Sequence, residues 1–244
     1  MTLTQPRLCA IHQPNLFPRL STLAKLRAAD VWVALDDVQF ARRDYQHRAR
    51  LGPRSDPSAQ QWMSLSVALP SGRSTEIRDV RILDSETSRR RVARMTRQAH
   101  GRGQHWEPVG NVVDQVVHLM DQTDRLAEIA IASTQSLLEL VGWTGEIVRS
   151  SDLVARTERS SRLADLTLAV GAAAYICGSG GSRYLDGDVF ADLGLGVQYF
   201  SCPESGVWAG ASRVSAIAAL AEDGKAFLSE TEGSRPQLSM MRGR

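Results

Sequence analysis

Short apolar runs of strand length alternate along this chain with segments of helical period. Arg7 to Ile11 and Val31 to Leu35 read as buried strands, and a helix is expected between them over about Leu20 to Ala29. Glu146 to Val148, Ala173 to Cys177 and Val197 to Phe200 are further strand-length runs. Helices are expected between those runs, over Ser161 to Val170 with Gly171 just past its end, and near Asp188 to Leu193. Strand, helix, strand order predicts parallel pairing, so the fold class is α/β, a Rossmann-like mostly parallel sheet flanked by helices. Between the second and third strand runs the period changes. Met63, Leu65 and Val67 alternate, and Ile77, Val80 and Ile82 mark another strand region, which predicts a small antiparallel β insertion at about 52–84. A helical segment follows at about 85–141: a helix over Ser85 to Ala99 stopped by Gly101 and Gly103, then one long or two shorter helices from Asn111 to Val141. A last helix is expected at Val214 to Leu220. One domain over 1–230 and a flexible tail over 231–244 complete the expected organisation.

Composition narrows the class without naming a chemistry. The 244 residues are 43% hydrophobic and 23% charged, ordinary values for a folded domain. No stretch approaches the roughly 18 apolar residues of a membrane span, and Met1 to Gln5 lacks the start of a secretory signal. Three cysteines, Cys9, Cys177 and Cys202, are too few and too scattered for a disulfide framework. A cytoplasmic protein without membrane partner is therefore expected. The net charge of +2 hides an asymmetry: residues 1–106 carry 18 Lys/Arg against 9 Asp/Glu, residues 107–244 carry 11 against 18. The excess peaks in a stripe from Arg89 to Arg102, which suits either a docking face or a solvated helix salt-bridged to the acidic half.

Three polar loops follow strand runs, where an α/β sheet places its ligands. After the first run stand His12, Gln13 and Asn15, stiffened by Pro14 and Pro18. Such preformed donors and acceptors suit acyl or phosphoryl transfer, although Asn15 and His12 can equally serve only the turn itself. After the second run come Asp36 and Asp37, then Gln39, Arg43, Asp44, Gln46, His47 and Arg48. One carboxylate could hold an amine or a ribose hydroxyl and an arginine could clamp a phosphate, or the whole set could be an ion-pair network on an edge. After the fourth run, Gly178, Ser179, Gly180 and Gly181 form a turn whose amides can cup an anion, with Tyr184 close behind. Its spacing is neither a Walker A loop nor a dinucleotide fingerprint. His100 and His105 lack a third ligand, so no metal site is expected, and no cofactor either.

Taken in order, these blocks resemble the WbqC-like protein family. The resemblance is carried by Ile11-His12-Gln13-Pro14-Asn15-Leu16-Phe17-Pro18, by Leu35-Asp36-Asp37-Val38-Gln39-Phe40 with Arg43-Asp44-Tyr45-Gln46-His47-Arg48, by the Trp62 strand, and by Ser150-Ser151-Asp152. Thr157-Glu158-Arg159 and the stretch from Tyr175 through the glycine turn to Asp186 continue it. The chain departs from the family pattern after Pro203, where Glu204 stands in place of an aromatic residue followed by Gln. The resemblance implies O-antigen or natural-product biosynthesis and a glycine or aminoacyl transfer. The expected function is then a transferase moving an aminoacyl group onto an amine or hydroxyl of a sugar or natural-product intermediate. In this scheme Asp36 or Asp37 holds the amine, His12 or His47 moves a proton, and Gln13, Asn15 and Gln39 polarise the carbonyl. A small-molecule substrate, with a carrier-protein or thioester-bound donor, is the expected partner; nucleic acid is not. Two alternatives stay open. One is nucleotidyl transfer, since His12-Gln13-Pro14-Asn15 is loosely similar to a His-x-Gly-His loop, although the lysine of a second nucleotide loop is absent because the only lysines are Lys25 and Lys225. The other is a non-catalytic carrier- or ligand-binding protein.

Overall fold

A computed structural model describes residues 6–226 and a two-residue strand at 239–240. Five parallel strands form the centre: β1 (Leu8–His12), β2 (Val31–Ala34), β7 (Glu146–Arg149), β8 (Ala174–Gly178) and β9 (Gly196–Phe200). A sixth, β10 (Ser239–Met240), pairs antiparallel with β9, and the sheet order is β10-β9-β8-β1-β2-β7. From β1 the chain thus steps outward through β2 to β7, then returns to the other side of β1 for β8 and β9. This is the doubly wound order, and it reverses between β1 and β8. The expected tail over 231–244 lies outside the described residues apart from β10.

Side-chain alternation assigns the strands to two cores. Ala10, Trp32, Ala34 and Ile176 join one apolar cluster with α1 (Leu20–Arg27) and α4 (Leu126–Leu140). Cys9, Ile11, Val31, Val33, Tyr175 and Cys177 face the other, under α5 (Arg159–Ala169) and α6 (Asp188–Asp192). Both faces are covered, which explains why the strands read as unbroken apolar runs. Gly171 ends α5 in the left-handed region at φ 65°, with Ala172 N donating to Thr167 O and Gly171 N to Leu168 O.

The insertion between β2 and β7 differs in pairing from the sequence expectation. β3 (Arg48–Leu51), whose alternation lies hidden in the polar motif, pairs antiparallel with β4 (Gln61–Ser64). β5 (Val67–Ala68) pairs separately with β6 (Arg81–Ile82), and Ile77–Asp79 is a single 3-10 turn. Met63, Leu65, Ile77, Val80 and Ile82 are nonetheless buried, Met63, Ile77 and Val80 completely, and Val67 is half-buried. α2 (Ser85–His100) and α3 (Trp106–Leu119) follow, so the long apolar region holds two helices, α3 and α4, and α7 (Ala216–Asp223) packs against α1 and α3. Of the Arg89 to Arg102 stripe, Arg89 pairs with Asp121, Arg90 with Glu86, and Arg91 donates to Ser64 O.

Candidate functional site

The loop after β1 is held from three sides. Phe17 N donates to Ser133 Oγ at 2.9 Å, while Ser133 Oγ and Thr134 Oγ1 on α4 donate to Asn15 O. Leu16 N donates to Tyr45 O. Phe17 itself sits at φ 46°, a conformation that costs a side-chain-bearing residue about 1–2 kcal/mol, offset by complete burial of its ring. The two prolines and this strained turn fix where His12 and Gln13 point.

His12 is neutral by construction. Asn15 Nδ2 donates to Pro14 O, so its Oδ1 faces His12 and accepts from Nε2–H at 3.2 Å. That leaves Nδ1 as an acceptor, and Lys25 Nζ lies 3.4 Å from it while also donating to Ile11 O at 3.3 Å. Burial first, then the neighbouring Lys25 and Arg19 charges, hold the imidazole well below its ordinary pKa. Lys25 is only 7% exposed, and burial lowers its amine to about 8. The pair therefore carries a single positive charge at neutral pH, on the lysine. Lys25 also lies beneath the start of the glycine turn: a Cβ on Gly178 would stand 3.9 Å from Nζ.

Asp36 and Asp37 follow β2 but serve the fold. Asp36 is fully buried; Ser151 N and Ser151 Oγ donate to its two oxygens at 3.1 Å, and Asp36 N donates to Ser150 Oγ. Asp37 accepts from Ser150 Oγ and pairs with Arg162 at 2.5 Å. Neither carboxylate lines the cleft, whereas Arg162 does.

That cleft, about 1140 Å³, opens at the carboxyl ends of β1 and β8, at the reversal of strand order. Of the predicted residues it gathers His12, Gln13, Gln39, Gly178, Ser179, Gly180 and Gly181. The two glutamines are oriented oppositely. Gln13 Oε1 accepts from Gln46 Nε2 at 2.7 Å, which leaves its NH₂ as donor; Gln39 Nε2 donates to Arg73 O, which leaves its carbonyl as acceptor. Asn15 and the fully buried Gln46 support from behind. His47 packs edge-on against Phe40 at 5.2 Å and burial takes it down to about 4; it is outside the cleft lining. Arg48 stacks on Trp62 at 4.0 Å and donates to the carbonyls of Arg43 and Asp44. Tyr184 is 65% exposed, beneath the Arg159 guanidinium. Cys202 lines the cleft, but burial raises its thiol to about 12, and Cys177 is raised likewise, so neither is a thiolate at neutral pH. His100 Nε2 accepts from Gly52 N, and His105 lies against Gly224.

Sequence reasoning missed much of the lining. Ser21, Thr22 and Lys25 on α1, Arg19 at its start, Arg159 and Arg162 on α5, and the 201–204 and 210–213 segments all border the cleft. Only α1 left a signal, since Ser21, Thr22 and Lys25 fall on one helical face of an otherwise apolar helix. Among the described lining residues five are cationic, Arg19, Lys25, Arg159, Arg162 and Arg213, against one carboxylate, Glu204. Glu204 belongs to the 201–204 segment, which forms part of one wall.

Fold and cleft together define a doubly wound α/β protein with a cationic cleft at its switch point. Residues 13–211 match the model of the WbqC-like protein family, and the chain belongs to that family. A relative in Mycobacterium tuberculosis, the uncharacterized protein Rv1507c, is 22% identical over 203 residues, covering 78% of this chain and 80% of that protein. No solved structure matches the chain. No helix among the described residues is long and apolar enough to cross a membrane.

Proposed function

We propose that the protein is a biosynthetic transferase that moves an aminoacyl group, glycyl among the candidates, onto an amine or hydroxyl of a sugar or natural-product intermediate. The observation that carries this reading is the neutral imidazole of His12 in the cleft at the switch point. A neutral imidazole can take the proton of an attacking amine or hydroxyl through Nδ1 as the new acyl bond forms, then return it to the departing thiol or alcohol. The donor NH₂ of Gln13 suits the acyl oxygen, where charge develops, and the acceptor carbonyl of Gln39 suits the aminoacyl ammonium. The amine-holding role expected of Asp36 or Asp37 passes to Gln39 in this scheme, because both carboxylates are engaged by Ser150, Ser151 and Arg162. Asp37 acts instead as a positioning residue for Arg162.

A second reading, nucleotidyl transfer, draws on the strand order and on Lys25 at the switch point. The two part on one assay. Incubation with a glycyl thioester and an amino-sugar acceptor is expected to give an amide detected by mass spectrometry, slowed about 10²- to 10⁴-fold in His12→Ala. Pyrophosphate release that requires ATP and Mg²⁺, with no acyl transfer from a panel of aminoacyl thioesters, would replace the first reading by the second.

A further inference from the structure

The geometry points to a phosphate-binding subsite built from Lys25 and the glycine turn, so that the cleft takes a phosphate-bearing substrate. Three independent features converge there. Lys25 is a buried cation with two of its three N–H groups directed at Ile11 O and His12 Nδ1, which leaves one donor for a ligand. The turn that begins at Gly178, packed against the lysine stem, lines the same cleft, and among the described residues the backbone amide of Gly180 meets no acceptor in the fold. Arg19 and Arg162 also line the cleft, each with a buried Nε that has no partner among the described residues, although their other nitrogens are engaged by Ser212 O and by Asp37. Donors reach the cleft from three directions, α1, α5 and the β8 turn, more than the single plane of a carboxylate's lone pairs presents. A phosphate monoester or diphosphate, with three or more oxygens in a tetrahedral spread, matches that number and spread. The anion also acts on the site: once it draws the Lys25 ammonium to itself, Nδ1 of His12 loses its donor and its lone pair is freed for a proton. This inference rests on the proposed function only for that last consequence; the subsite itself is a binding claim.

The chain has two lysines, Lys25 and Lys225, so its amine chemistry is readable. Pyridoxal 5′-phosphate serves as a probe, an aldehyde with a phosphate, with pyridoxal as its phosphate-free control. After borohydride reduction at pH 8 and peptide mass spectrometry, the full chain is expected to carry the label on Lys25 at least tenfold faster with the phosphorylated probe. Pyrophosphate in excess is expected to protect Lys25 and acetate or glycine to leave it open. Arg19→Ala and Arg162→Ala, checked for folding by circular dichroism, are each expected to lower the phosphorylated probe's advantage severalfold. Equal labelling by both aldehydes, preference for Lys225, or protection by carboxylates but not by pyrophosphate would overturn the subsite. Absence of acyl transfer with the subsite intact would overturn the transferase instead.

Discussion

Two polar motifs follow neighbouring parallel strands in this protein, and they have opposite fates. The loop after β1 turns His12 and Gln13 into the cleft, while the stretch after β2 buries Asp36 and ties Asp37 to Arg162. As lists of residues the two are equally rich in chemistry. What separates them is place. β1 and β8 flank the point where strand order reverses, so the loops above them diverge and leave a crevice. β2 lies between β1 and β7 with no reversal, and the 3-10 turn Ser150–Asp152 closes directly over its end and takes its carboxylates as partners. Polar residues after a strand line the cleft where the sheet opens; where it does not, Asp36 and Asp37 become struts, and of their motif's polar residues only Gln39 reaches the cleft.

The contrast breaks most readily at its two ends. On the β1 side, His12→Ala is expected to reduce turnover about 10²- to 10⁴-fold while leaving thermal unfolding within a few degrees. On the β2 side, Asp36→Ala is expected to do the reverse and cost about 2–4 kcal/mol of stability, because Ser151 N and the Ser151 hydroxyl lose their buried acceptor. Urea unfolding of both variants checks the pair; an Asp36→Ala protein of native stability would place that carboxylate outside the fold's framework.

Acid supplies the next largest effect. His12 is depressed by burial, and His47 and His100 are taken down to about 4. The unfolded chain binds protons as pH falls through about 6.5, whereas native His47 and His100 stay neutral toward about 4 and native His12 stays neutral below its ordinary range, so stability is lost as pH falls. With allowance for partial exposure, His47 and His100 each contribute about 1–2 kcal/mol, and His47→Gln is expected to flatten the pH dependence of the unfolding midpoint without touching ligand binding. Ser133→Ala follows, at about 1–2 kcal/mol, through the loss of partners to Phe17 N and Asn15 O in the strained loop. Tyr184→Ala, at an exposed position, is expected to change stability by under about 0.5 kcal/mol.

The sheet was legible in the sequence because its strands are covered on both faces and so appear as continuous apolar runs, Val31 to Leu35 among them. β3 was not, because Arg48 and Arg50 lie along Trp62 and keep half of its alternation polar, within a motif that draws attention as chemistry. Two of the three loops expected to face a ligand line the cleft, and of the third's expected site residues only Gln39 does. For the third, the proximity of Ser150 and Ser151 to Asp36 spans more than a hundred residues of sequence, and no local pattern announces it. Lys25 left only a partial signal, Ser21 and Thr22 sharing its helical face, because one lysine in a helix reads as a solvated charge until the fold places it under the glycine turn.

The proposed chemistry requires the neutral His12 at the end of β1 to meet the ligand, with Asp36 and Asp37 above β2 held away from it. The chain has five histidines, so the imidazole Cε1–H signals can be resolved by NMR and His12 assigned with His12→Asn. The expected result is a His12 signal that stays neutral through pH 6.5 and shifts on addition of pyrophosphate, while the His47 signal remains fixed. A His12 that titrates at its ordinary value near 6.5 and ignores pyrophosphate would contradict the claim.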